Sequence, residues 1–214
     1  AYIKARPCAG DIIAGQRFLQ TLTPFVWRKH LDFAAIQDAH DMRLRIRAHR
    51  GLNGALRLEG HNLKLGQGGI REIEFYAQTR QLIAGGRDMS LRNPTTLGAL
   101  AALAANGWIK QDEAAALSQN YLAHRDLEHR LQMVNDAQTH DLPTTAQGID
   151  RMAAFSGQDS TMFRAGLLAR LAQTDRITTG FFTPEPAPQV PILTPQQSLI
   201  VAGWAQYPAL RSAR

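Results

Sequence analysis

Asn62-Leu63-Lys64-Leu65-Gly66-Gln67-Gly68-Gly69-Ile70-Arg71-Glu72-Ile73-Glu74-Phe75 is the stretch in which this chain stops being irregular and becomes helix. Three glycines, a lysine, an arginine and two carboxylates lie between a short extended piece and a helix that should start at about Ile70. Glycine lets a backbone adopt positive φ and approach a bulky group closely. A helix beginning there turns its unpaired N–H groups back toward the loop, which favours an anion. Lys64 supplies a point charge, the Gly68 and Gly69 amides line the loop, and Arg71 offers a fork, so this is a candidate phosphate or nucleotide contact. Glu72 is included as a carboxylate able to reach back to the glycines.

The same residues admit a plainer reading. The glycines form a turn that lets a helix pack tightly, Arg71 and Glu74 pair at i,i+3 on the surface, and Glu72 is a solvated first-turn carboxylate favoured by the helix dipole. The stretch is not a Walker loop, because no Gly-Lys-Ser/Thr follows the glycines, and it does not spell the dinucleotide fingerprint. Glu72 and Glu74 are two apart, about 200° round a helix, so they cannot form an acid–base dyad.

Outward from this stretch the apolar spacing is helical nearly throughout. Asp11 caps a helix to about Leu22, and Thr23-Pro24 reads as an N-cap followed by Pro at the first position of a short second helix. Asp32 opens another, ended by Gly51. Residues 52–68 are the one poor helix region, with Leu56–Leu58 and Leu63–Leu65 as brief strands. After Ile70–Ala84, helices are expected over Thr96–Asn106, Asp112–Gln138, Ala146–Phe155 and from Asp159 or Ser160 to about Gly180. Four prolines between 184 and 191 mark an extended linker, and Thr194-Pro195-Gln196-Gln197 is a capping box opening a further helix. The expected fold is all-α: a multi-helix bundle of about seven helices, one irregular Gly-rich loop and no substantial sheet. Residues 1–182 form the helical domain, 183–193 the linker and 194–214 the start of a following helical domain. The ends read as cuts in a larger protein.

The chain has 214 residues, enough to bury a core without disulfides or metal. One cysteine, Cys8, cannot bridge internally, and the composition suits a reducing compartment. No apolar run approaches a membrane span and no signal peptide is visible, so cytoplasm is the default. Net charge is +6, and 20 of the 24 basic residues are Arg, which suits phosphates or acidic partners. No aromatic stacking platform accompanies the arginines, which disfavours nucleic acid.

On the long helix, Arg125, Glu128, His129, Gln132 and Asp136 fall on one side, with Leu127, Leu131 and Val134 opposite. Such a polar stripe is a solvated face or a partner surface. The His-Arg-Asp triplet at 124–126 sits mid-helix and lacks the downstream Asn of a kinase catalytic loop. The seven histidines share no ligand spacing, so no metal site is assigned. No Ser or Cys sits in a nucleophile context, so no catalytic residue is assigned either.

Taken together these pieces resemble the glutamine synthetase adenylyltransferase family, the bifunctional adenylylating and adenylyl-removing enzymes. The likeness rests on Asn62-Leu63-Lys64 with Gly68-Gly69-Ile70-Arg71-Glu72-Ile73-Glu74-Phe75, on Lys4-Ala5-Arg6-Pro7, on Pro24-Phe25-Val26-Trp27-Arg28-Lys29, on Gly85-Gly86-Arg87-Asp88, on Leu127-Glu128-His129-Arg130-Leu131-Gln132 and on Asp136-Ala137-Gln138-Thr139. The Asn-Leu-Lys to Gly-Gly pattern also resembles the uridylyltransferases of the PII protein. The resemblance implies a helical region following the first of two nucleotidyltransferase domains, with ATP and Mg²⁺ as cofactors of the full-length enzyme. It implies glutamine synthetase, the PII signal protein and an upstream nucleotidyltransferase domain as partners. In that family Mg²⁺ is held by aspartates on strands. This chain has no Asp-x-Asp, so the reaction centre is expected upstream and this piece alone should bind no cofactor and be inactive. The rival from another class is a non-catalytic interaction module using the Arg125–Asp136 stripe.

Overall fold

A computed structural model describes residues 2–29 and 54–180, together with isolated positions between 37 and 48. The elements are α1 (Ile12–Val26), α2 (Ile70–Ala84), α3 (Thr96–Ala105), α4 (Gln111–Asn135), α5 (Ala146–Phe155) and α6 (Ser160–Gly180), with short 3-10 turns at Tyr2–Lys4 and Met89–Leu91. The fold is all-α, with six α-helices and no strand among the described residues. No described helix is long and apolar enough to cross a membrane.

Local chemistry sets most helix ends. The Asp11 carboxylate accepts from the Ala14 amide, the Thr95 hydroxyl from Gly98 and the Thr145 hydroxyl from Gly148, each an N-cap that fills an otherwise unpaired donor. Asp159 accepts from Thr161 and Met162. Gly107 and Gly157, at φ +73° and +67°, follow α3 and α5. α4 is closed by Asp136 in the left-handed region at φ 45°, so the helix stops before the expected Gln138.

Two further expectations are corrected. Thr23-Pro24 starts no new helix, because Pro24 lies inside α1. The Thr23 carbonyl still accepts from Trp27, and α1 ends two residues after the proline. Proline blocks the bond to the preceding turn but not the turns that follow it. Neither leucine strand forms. Among the described residues the pairing there is a single antiparallel bridge, Asn62 with Asp141, flanked by Leu63 N–H to the His140 carbonyl and Leu142 N–H to the His61 carbonyl, both 2.8 Å. Of the helix expected over 32–51, Gln37, Asp38, Asp41, Met42, Leu44, Arg45 and Ala48 are helical, and the rest lies outside the described residues. The linker and the helix expected after it also lie outside them.

The core has two apolar clusters. One gathers Ile73, Tyr76, Leu91, Leu100, Leu103 and Leu117, where α2, α3 and the first half of α4 meet. The other gathers Leu63, Leu127, Leu131, Leu142, Ile149 and Leu167 with their neighbours, where α5, α6 and the second half of α4 meet. Between them lies a buried polar layer of Glu72, Asn120, His124, Thr174 and Thr178. The alternation is visible along α4, where Leu117 leads to Asn120 and His124 and then to Leu127 and Leu131. All five are buried and share a stripe at helical spacing. The 62–69 loop abuts this polar layer.

Candidate functional site

The loop before α2 is held by its own backbone. The Asn62 side-chain oxygen accepts from the amides of Lys64 and Leu65 at 3.1 and 2.7 Å, an Asx turn. The chain then doubles back, so that Gly69 N–H donates to the Gly66 carbonyl, Ile70 N–H to Leu63 and Arg71 N–H to Lys64, at 3.0, 2.8 and 2.9 Å. Glu72 N–H closes onto Gly69 at 3.1 Å. The first donors of α2, which normally lack a partner, are therefore all taken by loop carbonyls.

The loop amides consequently have partners other than the anion the sequence suggested. Gly68 N–H donates to the Glu72 carboxylate at 3.0 Å in a buried position. Gly68 also lies against α6: at φ +71°, a Cβ there would stand 2.0 Å from the Leu171 carbonyl oxygen. A Cβ on Gly69 would stand 2.6 Å from the Leu63 carbonyl oxygen. The glycines serve close helix approach. Glu72 is no solvated carboxylate but 2% exposed. It does reach back to the loop, and the Thr178 hydroxyl donates to it at 3.3 Å. Behind the loop, His124 is fully buried. Burial, with Arg170 and His61 adding positive charge nearby, lowers its pKa to about 4.

The cationic side chains are placed differently. Arg71 is exposed and pairs with Glu74 at 3.2 Å, as the plainer reading expected. Glu74 also takes Lys4 at 2.8 Å. Burial alone would raise the Glu74 pKa, but the Lys4 and Arg71 contacts bring it below the ordinary carboxylate value. Glu74 and Glu72 thus point to different surroundings, one to a cation pair and one to the interior. Lys64 is half-buried. Its ammonium lies 3.3 Å from His140 Nε2, and among the described residues it pairs with no carboxylate.

Lys64 and part of the α4 stripe belong to one arrangement. His140 Nδ1 lies 2.7 Å from Glu128 Oε1, and Arg125 pairs with the other oxygen of Glu128. The order Arg125–Glu128–His140–Lys64 links α4, the segment after it and the glycine loop. The stripe is therefore not one exposed face. Glu128 is 1% exposed, which removes it as a partner contact. Val134, expected on the apolar side, is 57% exposed. Gln132 is half-buried and its amide reaches the Thr139 carbonyl at 3.4 Å. His129 and Asp136 are exposed, and Asp136 lies beyond the helix. Leu127 and Leu131 are buried as expected, and the polar stripe departs from expectation because the buried face of α4 carries Asn120, His124 and Glu128 among its leucines. That signal was available in the sequence as polar residues interrupting an apolar spacing. His140 carried no such signal: it sits in irregular chain, 76 residues from Lys64. A groove of about 410 Å³ beside this segment is lined by Leu131, Val134, Thr139, Asp141, Pro143 and Arg151, among others.

A family model described as GlnD PII-uridylyltransferase matches residues 40–183. The chain is 55% identical over 160 residues to a bifunctional glutamine synthetase adenylyltransferase/adenylyl-removing enzyme of Rhodopseudomonas palustris (strain TIE-1), which covers 75% of this chain and 16% of that relative. It is 54% identical over 172 residues to the protein of the same name from Xanthobacter autotrophicus, covering 80% and 17%. With that of Mesorhizobium japonicum the identity is 48% over 191 residues, covering 89% and 19%. The chain spans less than a fifth of the length of these relatives.

Proposed function

The chain belongs to the GlnD PII-uridylyltransferase family, and from that premise we propose that it is the helical part of a bifunctional enzyme that adenylylates and deadenylylates glutamine synthetase. The relatives that match it over most of its length carry that name. In this reading a nucleotidyltransferase domain elsewhere in the longer chain performs the transfer with ATP, in the cytoplasm, and responds to the PII signal protein. The helical part supplies a wall of that pocket.

One observation carries the assignment of residues. Lys64 is a cation placed at the surface end of the loop with an imidazole in place of a carboxylate as its partner. A charge held this way is available to a phosphate, and a preorganised cation stabilises charge on transferring phosphoryl groups. Arg71, one helical turn from the loop, supplies a second cation after release from its exposed pair with Glu74. Magnesium, implied by the resemblance, does not fit the side chains here: among the described residues no group of three or more His, Cys, Asp or Glu is placed to hold a metal ion. No step is assigned to it in this chain.

The test uses the longer enzyme. Lys64→Ala should reduce whichever transfer the adjoining nucleotidyltransferase domain performs, adenylylation or phosphorolytic adenylyl removal, on the order of tenfold in kcat/KM for one charge-assisted contact, and Arg71→Ala should do so less. Unchanged turnover in both variants would leave the loop a purely structural device. The 214-residue chain incubated alone with ATP, Mg²⁺ and glutamine synthetase should transfer nothing. The description of the family model favours a second reading, a helical region of a PII uridylyltransferase-like enzyme. Uridylylation of PII by the longer enzyme, with no action on glutamine synthetase, would select it.

A further inference from the structure

We propose that His140 is a positioning residue for Lys64, holding its ammonium in place while leaving its charge unneutralised. The inference rests on the reading above only for what the lysine is then used for.

The chain of contacts sets the chemistry of the ring. Glu128 is buried, and a buried carboxylate must be paired and hydrogen-bonded. Arg125 serves one oxygen, and His140 Nδ1 lies 2.7 Å from the other, at ion-pair distance though without hydrogen-bond alignment. Two lone pairs that close would repel, which places the proton on Nδ1. The neutral ring then presents a lone pair at Nε2, and that nitrogen faces Lys64 Nζ at 3.3 Å.

Fixing a lysine costs side-chain entropy, so an anchored lysine has a partner that offsets this. The usual partner is a carboxylate, which also cancels the charge. Lys4 shows that arrangement, its ammonium 2.8 Å from Glu74. Lys64 has an imidazole in the same role. It is ordered by a neutral acceptor, and its positive charge remains for an anionic ligand bearing phosphate. The imidazole is itself aimed by Glu128, which Arg125 holds from the same helix. The other charged neighbour is Asp141, next in the chain, whose carboxylate accepts from the Asn62 amide at 2.7 Å.

His140→Gln offers a neutral substitute, since an amide can donate toward Glu128 and accept from Lys64. His140→Phe offers neither.

Nuclear magnetic resonance on the full 214-residue chain tests this without any ligand. The ring nitrogens of His140 should report the Nδ1–H tautomer. The Lys64 ε-methylene signals should lose their anchored shifts in His140→Phe and keep them in His140→Gln. In the longer enzyme, His140→Phe should raise the Kd for ATP about fivefold, His140→Gln should restore it to within about twofold, and His140→Phe should add nothing once Lys64 is Ala. An Nε2–H tautomer, or Lys64 signals indifferent to His140, would overturn the positioning role even if Lys64→Ala weakened ATP binding. A coupled pair with no effect of Lys64→Ala on ATP would overturn the phosphate reading and leave the positioning intact. Should His140→Phe fail to fold, the tautomer and the Lys64 signals of His140→Gln decide alone.

Discussion

On its inner side the 62–72 loop meets Leu171, Thr178 and His124; on its outer side it presents Lys64 and Arg71, with His140 behind the lysine. The two sides are built from neighbouring residues of one motif. Inside, Glu72 accepts from the Gly68 amide and the Thr178 hydroxyl, burial keeps the His124 ring neutral, and Gly68 is there because α6 leaves no room for a Cβ. Outside, the cations are fixed or paired only loosely. The difference teaches that the motif's glycines and its lysine answer to separate demands: the first is packing, and the second is charge placed on what the packing has made rigid. Substitutions should sort accordingly into those that move stability and those that move ligand binding.

The largest effect should come from Gly68→Ala. The residue has φ +71° and its added Cβ would press on backbone at Leu171, so nothing flexible can yield. A loss of about 3 kcal/mol is expected from the combined strain and overpacking, read as a shift in the urea midpoint. A neutral result would break the division at its inner side.

Acid should come next. The His124 pKa falls from 6.5 to about 4 on folding, so between those values the unfolded chain binds the extra proton. The stability conferred by burying the neutral ring is whole above pH 6.5, declines as pH falls through that window and levels off below about 4. The total is of order 3 kcal/mol. Denaturation at a series of pH values should show that slope, and His124→Gln should flatten it.

Glu72→Ala should cost about 2 kcal/mol, because it strips the buried Gly68 amide of its acceptor. Lys64→Ala should be the mildest for stability, within about 0.5 kcal/mol, as expected for a half-exposed side chain without a charged partner. A Lys64→Ala protein as destabilised as Glu72→Ala would erase the distinction between the two sides.

The sequence reading went as far as local chemistry reaches. The start of α2 at Ile70, its end at Ala84 and the spans Ala146–Phe155 and Ser160–Gly180 agree with the spacing of apolar residues and with caps at Thr145 and Asp159. These depend on residues within a turn or two. Pro24 misled because a proline that opens a helix and one tolerated near a helix end look alike in sequence. The leucine pairs around 56–65 looked like strands, but with one bridge to Asp141 as their pairing among the described residues they stay irregular. The Gly68 and Gly69 amides face the Glu72 carboxylate and the Gly66 carbonyl, a backbone arrangement that residue type alone does not fix. His140 was invisible because its importance comes from meeting Lys64 and Glu128 across the fold, and residue type alone does not announce such a meeting. By contrast, Asn120 and His124 could have been found, since they occupy the stripe of Leu117, Leu127 and Leu131.

The most direct test of the separation between scaffold and charge is calorimetric titration of ATP into the longer enzyme, wild type against Lys64→Ala, with unfolding followed on the same samples. The account predicts binding weaker by about tenfold, the equivalent of 1.4 kcal/mol, at an unchanged unfolding midpoint. Equal affinities in the two proteins would contradict it.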